Sequence, residues 1–251
     1  MALQFVDFLQ GLGSLIFVII SVIIGLAILS KYRKFKSRLY VLVGISWIGV
    51  ANPWFPDSIS FLMNIFIQES LQIGWYFIIG NVFIPLALLA WIIAYTDMIN
   101  KKAQAFAVIL TIILSVAFEF TFFLLFYIDI NLIGEINQTR PFTVDFGIFI
   151  IIYLIIIIFV MLITGLIFAQ NSIKSENREI RLKGKLLRAA FITFTIAAIL
   201  DASLGMIFED PTDPLLAIMV IATRVLLIFS AFEFYGGFLL PKWMKEIFLR
   251  S

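Results

Sequence analysis

Residues 148–159 read IFIIIYLIIIIF. In water, a run so rich in β-branched and aromatic residues suggests a strand. In a bilayer, a single segment must satisfy its own backbone hydrogen bonds, and the same run reads as helix. The rest of the chain decides which solvent applies. Of 251 residues, 63% are hydrophobic and 14% are charged, against about 45–50% and about 25% in an ordinary soluble domain. At about 20 residues per membrane-spanning helix, this composition supplies about seven spans and leaves no separate soluble domain.

Cut at charges and at Pro, Asn and Gly clusters, the apolar stretches fall near 10–30, 39–56, 72–96, 103–128, 146–169, 187–208 and 214–240. The expected fold is all-α: a polytopic membrane protein forming one seven-transmembrane-helix domain over 1–251, in the cell membrane. The first span is retained rather than cleaved, because Asp7 stands where a basic leader region belongs and no small-residue cleavage site precedes Lys31. Loop charge sets the direction, since Lys and Arg near span ends stay on the cytoplasmic side. Sixteen of the 18 basic residues fall in alternate loops and the tail, and Arg140 alone falls in the opposite loops. The N-terminus is therefore expected outside and the C-terminus inside. Trp54 and Trp75 are expected at the outer boundary, Trp91 and Trp243 near the inner one, because indole rings favour the headgroup level. Residues 57–70 (DSISFLMNIFIQES) follow Pro56 and read as a short helix. It either lies on the outer interface, the preferred reading, or extends span two beyond a kink at Pro53.

The chain has no cysteine and no histidine. That leaves no disulfide, no thiolate or imidazole chemistry, and no haem or zinc ligands of the usual kinds. Neither an enzyme nor a cofactor or metal is expected. Glu119, Asp201, Arg224 and Glu233 lie inside predicted spans. Each costs roughly 2.5–3.5 kcal/mol at a helix centre, so each is a site hypothesis by default. At 1.5 Å per residue, Arg224 lies about 15 Å below the outer end of its span, Glu119 and Asn81 about 13 Å and Asp201 about 10 Å. Four helices thus bring Asn81, Glu119, Asp201 and Arg224 to one layer, the expected ligand or ion site. Asp201 is the expected direct partner of Arg224, because their spans are consecutive and antiparallel. Glu233, nine residues past Arg224, is turned half-way round the helix and reads as an inner relay or a packing contact, within reach of Lys185 or Arg188. Phe118, Phe120, Phe122, Phe123 and Phe126 face lipid or line an apolar pocket near Glu119.

The topology resembles that of rhodopsins and G-protein-coupled receptors, but their functional residues are missing. Span seven contains Arg224 and no lysine, which excludes a retinal Schiff base. Span three ends AYTDMINKK and span seven YGGFLLP, neither of them a receptor signature. No Pro-Gln motif of seven-span sugar carriers and no Gly-x-Gly-Asp motif of intramembrane proteases occurs. The final span, from Arg224 through Tyr235, Gly236, Gly237, Phe238 and Pro241 to Lys242, together with Trp54, Phe55 and Pro56, resembles uncharacterised archaeal seven-span integral membrane proteins. That resemblance implies no activity.

Three functions are compatible with this sequence. The first is a receptor-like or sensory module that binds a small ligand, ion or lipid at the outer-half cluster. Its basic stretch 171–188 (NSIKSENREIRLKGKLLR) would signal to a cytoplasmic or membrane protein, because no output domain follows the last span. That stretch also serves as a plain positive-inside anchor or a site for anionic headgroups. The second is a small secondary transporter using the same cluster, and the third a structural subunit of a membrane complex. The bilayer is a partner in all three, and nucleic acid in none. Asn137, Gln138 and Thr139 form a glycosylation sequon in an outer loop.

Overall fold

A computed structural model describes residues 3–137, 140, 143–208, 210 and 212–249. Among these residues, seven helical rods are long and apolar enough to cross a membrane. The chain is thus a helical multi-pass bundle. The rods are α1 (Phe5–Phe35), α2 with α3 (Arg38–Val50 and Phe55–Ile67), α4 with α5 (Ile73–Asn81 and Ile84–Ile99), α6 (Gln104–Ile128), α7 (Ile148–Ile173), α8 (Arg178–Ile207) and α9 (Pro214–Leu239). A short α10 (Lys242–Leu249) follows. The run at 148–159 lies wholly within α7, as the bilayer argument requires.

Six rods form a ring in which α7 packs on α8, α8 on α9, α9 on α1, α1 on α2 and α3, and α2 on α5, with α5 touching α7 to close it. The remaining rod, α6, packs chiefly against α5. Small residues set the close approaches: a Cβ on Gly25 would meet Ile48 at 2.3 Å, and one on Gly44 would meet the Gly25 carbonyl at 2.8 Å. Membrane helices gain contact this way, because lipid tails are as apolar as the helices themselves.

Two rods are broken, and the breaks face each other. A 3-10 turn over Asn52–Trp54 carries the chain through Pro53. Residues 82 and 83 interrupt the other rod because Pro85 has no N–H to offer the Asn81 carbonyl four residues back. The Asn52 amide donates to the Ile79 carbonyl and ties the two breaks together. The segment expected as an interfacial helix over 57–70 is therefore the continuation of span two. Its buried face, Asp57, Ser60, Phe61 and Asn64, packs on α1, which is why it stays in the bundle rather than lying flat.

Two tryptophans also depart from expectation. Trp91 is fully buried and donates to Thr164 Oγ1 at 2.8 Å, and Trp54 is buried at the turn. Trp75 and Trp243 are exposed. The phenylalanines of α6 divide by face: Phe118 and Phe122 are buried, with Phe118 stacked on Tyr153 of α7, while Phe120 and Phe123 are exposed.

The end of the bundle where α1 begins, here the N-terminal end, carries a small antiparallel hairpin that the all-α expectation did not include. It pairs β1 (Gly134–Ile136) with β2 (Val144–Phe146), Glu135 standing opposite Asp145. Gly134 has φ +156°, and a Cβ there would meet the Asp145 carbonyl at 2.7 Å, so no larger residue fits. Gln138 and Thr139 of the sequon lie outside the described residues.

At the opposite end, Lys183 donates to the Phe238 carbonyl at 3.1 Å, giving a donor to the carbonyls left open where α9 ends. Asn177 caps α8 by accepting from the Glu179 and Ile180 amides, and Lys245 pairs with Glu179 at 2.6 Å. Part of the basic stretch 171–188 is therefore engaged in holding helix ends.

Candidate functional site

Arg224 sits in the first half of α9 with its side chain only 4% exposed. Its stem lies against α1 at Gly13, where a Cβ would come within 2.5 Å of Arg224 Cγ. A glycine in α1 thus makes the slot that admits a long side chain to the bundle interior. The guanidinium reaches two carboxylates. Nη1 donates to Asp201 Oδ2 of α8 at 2.7 Å, and Nη2 stands 3.7 Å from Asp57 Oδ2 of α3. Each carboxylate has further donors. Trp54 Nε1 donates to Asp201 Oδ2 at 2.8 Å, Ser14 Oγ of α1 to Asp57 Oδ2 at 3.2 Å, and the Tyr76 hydroxyl of α4 to Asp57 Oδ1.

Five helices and one turn therefore converge on a network of two acids and one base. The expected contact of Arg224 with Asp201 is present; Asp57 was not foreseen in it. Its place directly after Pro56 put it at the start of a separate short helix, whereas it is a buried residue of a continued span. A signal existed in the spacing of Asp57, Ser60 and Asn64, a polar stripe repeating every three to four residues along an apolar helix.

The other predicted members stand elsewhere. Asn81 is buried beside the α4–α5 break and donates to its own helix at the Phe77 carbonyl, 2.9 Å away. It does not line the cavity described below. Glu119 lies on α6, outside the ring, with Ser115, Phe120, Phe123 and Tyr127 around it, and no ion pair joins it to Arg224. The shared layer fails here because depth along a rod does not say which way the rod faces. Glu233 forms no ion pair with Lys185 or Arg188 among the described residues, and its Oε2 is buried with no hydrogen-bond partner.

A cavity of about 530 Å³ lies within the ring beside this network. Asp57, Tyr76, Trp54 and Asp201 form part of its wall, and Arg224 stands behind them. Toward the middle of the bundle the wall becomes aromatic and aliphatic, with Trp47, Phe191, Phe194 and Phe234 at its base. Trp47 stacks on Phe234 with ring centroids 4.0 Å apart, and Phe191 packs against Trp91 at 5.2 Å. On the α7 and α8 side, Ile155, Ile199 and Ala202 line the cavity and are also exposed, so that side is not sealed.

At the N-terminal end the cavity wall includes Gln10, Arg140, Thr143 and Asp145. Arg140 donates from Nε to Asp7 Oδ1 at 3.3 Å and from Nη2 to Gln10 Oε1 at 2.7 Å, with both charges buried. The one basic residue of this end thus fastens the hairpin loop onto α1 across the cavity mouth. Among the described residues, no group of three His, Cys, Asp or Glu is placed to hold a metal ion. The chain matches no protein-family profile, no curated protein and no solved structure.

Proposed function

We propose that this protein is a receptor-like membrane module that binds a small ligand in the cavity beside Asp57, Asp201 and Arg224. The observation that carries the reading is the cavity itself. Its volume of about 530 Å³ falls within the roughly 300–1,000 Å³ usual for small-molecule sites, which combine an apolar wall with a few convergent polar groups. The polar groups here come from α3, α4, α8 and the turn at Trp54, so a ligand touching them senses the relative position of several rods.

A receptor is favoured over a transporter because aromatic packing fills the bundle below the cavity. Trp91, Phe191 and Phe234 are buried there, and Leu187 lies so close to Gly237 that a Cβ would meet it at 2.3 Å. In this reading the hairpin end faces outside and the basic end, with residues 171–188 at its α7–α8 turn, faces the cytoplasm and a signalling partner. Concentration of Lys and Arg at that end supports the orientation.

The test is co-purification. Protein extracted gently from its own membrane is analysed for bound small molecules by native mass spectrometry, beside Ala202→Trp, which places an indole at an exposed position on the cavity wall. A ligand carried by the parent and lost in the folded variant supports the proposal. A parent that carries nothing and whose melting temperature no compound shifts overturns it. Uptake of the ligand into sealed proteoliposomes would replace the receptor reading with transport.

A further inference from the structure

Resting on that reading of the cavity, we infer that its ligand is an organic cation: an ammonium group joined to an apolar body. The charges at the site lead there first. With both ionised, Asp57 and Asp201 share one guanidinium, and the network then lacks one positive charge in surroundings of low dielectric. Both carboxylates line the cavity, whereas Arg224 stands behind them. The base that does line it, Arg140, is engaged by Asp7 and Gln10, and Asp145 adds a further carboxylate at the mouth. A bound cation completes the balance that the protein leaves open.

The walls fit the rest of such a molecule. Trp47, Trp54, Phe191, Phe194 and Phe234 line the space, and an ammonium is attracted to aromatic rings. Below the acids the lining is apolar and suits an alkyl or aryl body. Trp47 adds a separate sign that the protein alone does not finish this wall: it is 4% exposed and its Nε1 donor has no hydrogen-bond partner, which an acceptor on the body of the ligand, not its ammonium group, would meet. An inorganic cation fits less well, because among the described residues no group of three acidic side chains is placed to hold one. The unsealed side at Ile155, Ile199 and Ala202 faces where lipid would lie, so an amphiphile can reach the site from the bilayer.

The experiment compares three probes of one chain length, dodecylamine, dodecanol and dodecanoate, with the full-length protein in phosphatidylcholine nanodiscs. Binding is read by isothermal titration calorimetry, and Ala202→Trp supplies the baseline for partition into the lipid alone. The expected result is that dodecylamine binds at least tenfold more tightly than dodecanol and that dodecanoate is the weakest. Asp57→Asn, which keeps a side-chain acceptor for Tyr76 and brings the network to neutrality, should remove the preference for the amine over dodecanol; a preference that persists overturns the inference. Dodecanol or dodecanoate binding as tightly as the amine overturns the inference and leaves the cavity reading standing. If Ala202→Trp changes the binding of no probe, the cavity reading falls and the inference with it.

Discussion

Replacing Arg224 with methionine removes the only guanidinium from the network and leaves two carboxylates, 7% and 18% exposed, with no counter-charge. At an effective dielectric of about 20, the attraction lost is about 6 kcal/mol at the 2.7 Å contact and about 4.5 kcal/mol at the 3.7 Å contact. Desolvation of the three groups already offsets much of that gain, so the net loss expected for breaking the pairing is about 3–5 kcal/mol. Asp201→Leu costs less, about 1.5–3 kcal/mol for a hydrogen bond to a charged group, because Arg224 keeps Asp57 and the local charge falls to zero. Combining Arg224→Met with Asp201→Leu recovers only part of the single loss, since Asp57 stays buried with Tyr76 and Ser14 as its donors. Adding Asp57→Asn removes the last charge and recovers most of the remainder. Equilibrium unfolding in mixed micelles, followed by far-ultraviolet circular dichroism, measures all four variants. The reasoning is refuted if Arg224→Met and Asp201→Leu add to within about 0.5 kcal/mol, or if the triple variant is no more stable than Arg224→Met.

Gly13→Val drives a branched side chain into the Arg224 stem, which already lies within 2.5 Å of where a Cβ would stand. A loss of about 1–3 kcal/mol is expected from such overpacking, and thermal unfolding in detergent measures it. Arg140→Met frees the hairpin loop and leaves Asp7 buried without its cation. Faster amide exchange across residues 134–136 and 143–146 is expected, with no change in α7. For orientation, single cysteines at Glu135 and Lys36, both exposed in the structure, are treated in intact cells with a membrane-impermeant thiol reagent. Labelling at Glu135 alone is expected; labelling at Lys36 alone reverses the topology.

The spans were legible because bilayer thickness imposes a length and charge interrupts it, and both are visible in one dimension. The Arg224–Asp201 contact was legible for a related reason. A six-residue connection between antiparallel helices fixes their neighbourhood, and rise per residue fixes depth. What failed was rotation and lateral order. Glu119 has the depth expected of a network member but sits on α6, which lies outside the ring. Asp57 was misread because a proline can end a helix or merely bend it, and only the packing of Phe61 and Ser60 on α1 selects the bend. Trp54 and Trp91 lost their expected boundary places because Asp201 and Thr164 offer their indole N–H groups partners inside the bundle. Those acceptors come from remote helices, which local pattern does not register.

The central claim is that the cavity beside Asp57 and Asp201 is a ligand site. The most direct test is a high-resolution cryo-electron microscopy map of the protein purified from its own membrane without added ligand, paired with one of Ala202→Trp. The account predicts non-protein density in the parent that runs from the two carboxylates down to Trp47 and Phe234, and its loss in the variant. A cavity closed by side chains, or equal density of the purification detergent in both maps, would contradict it.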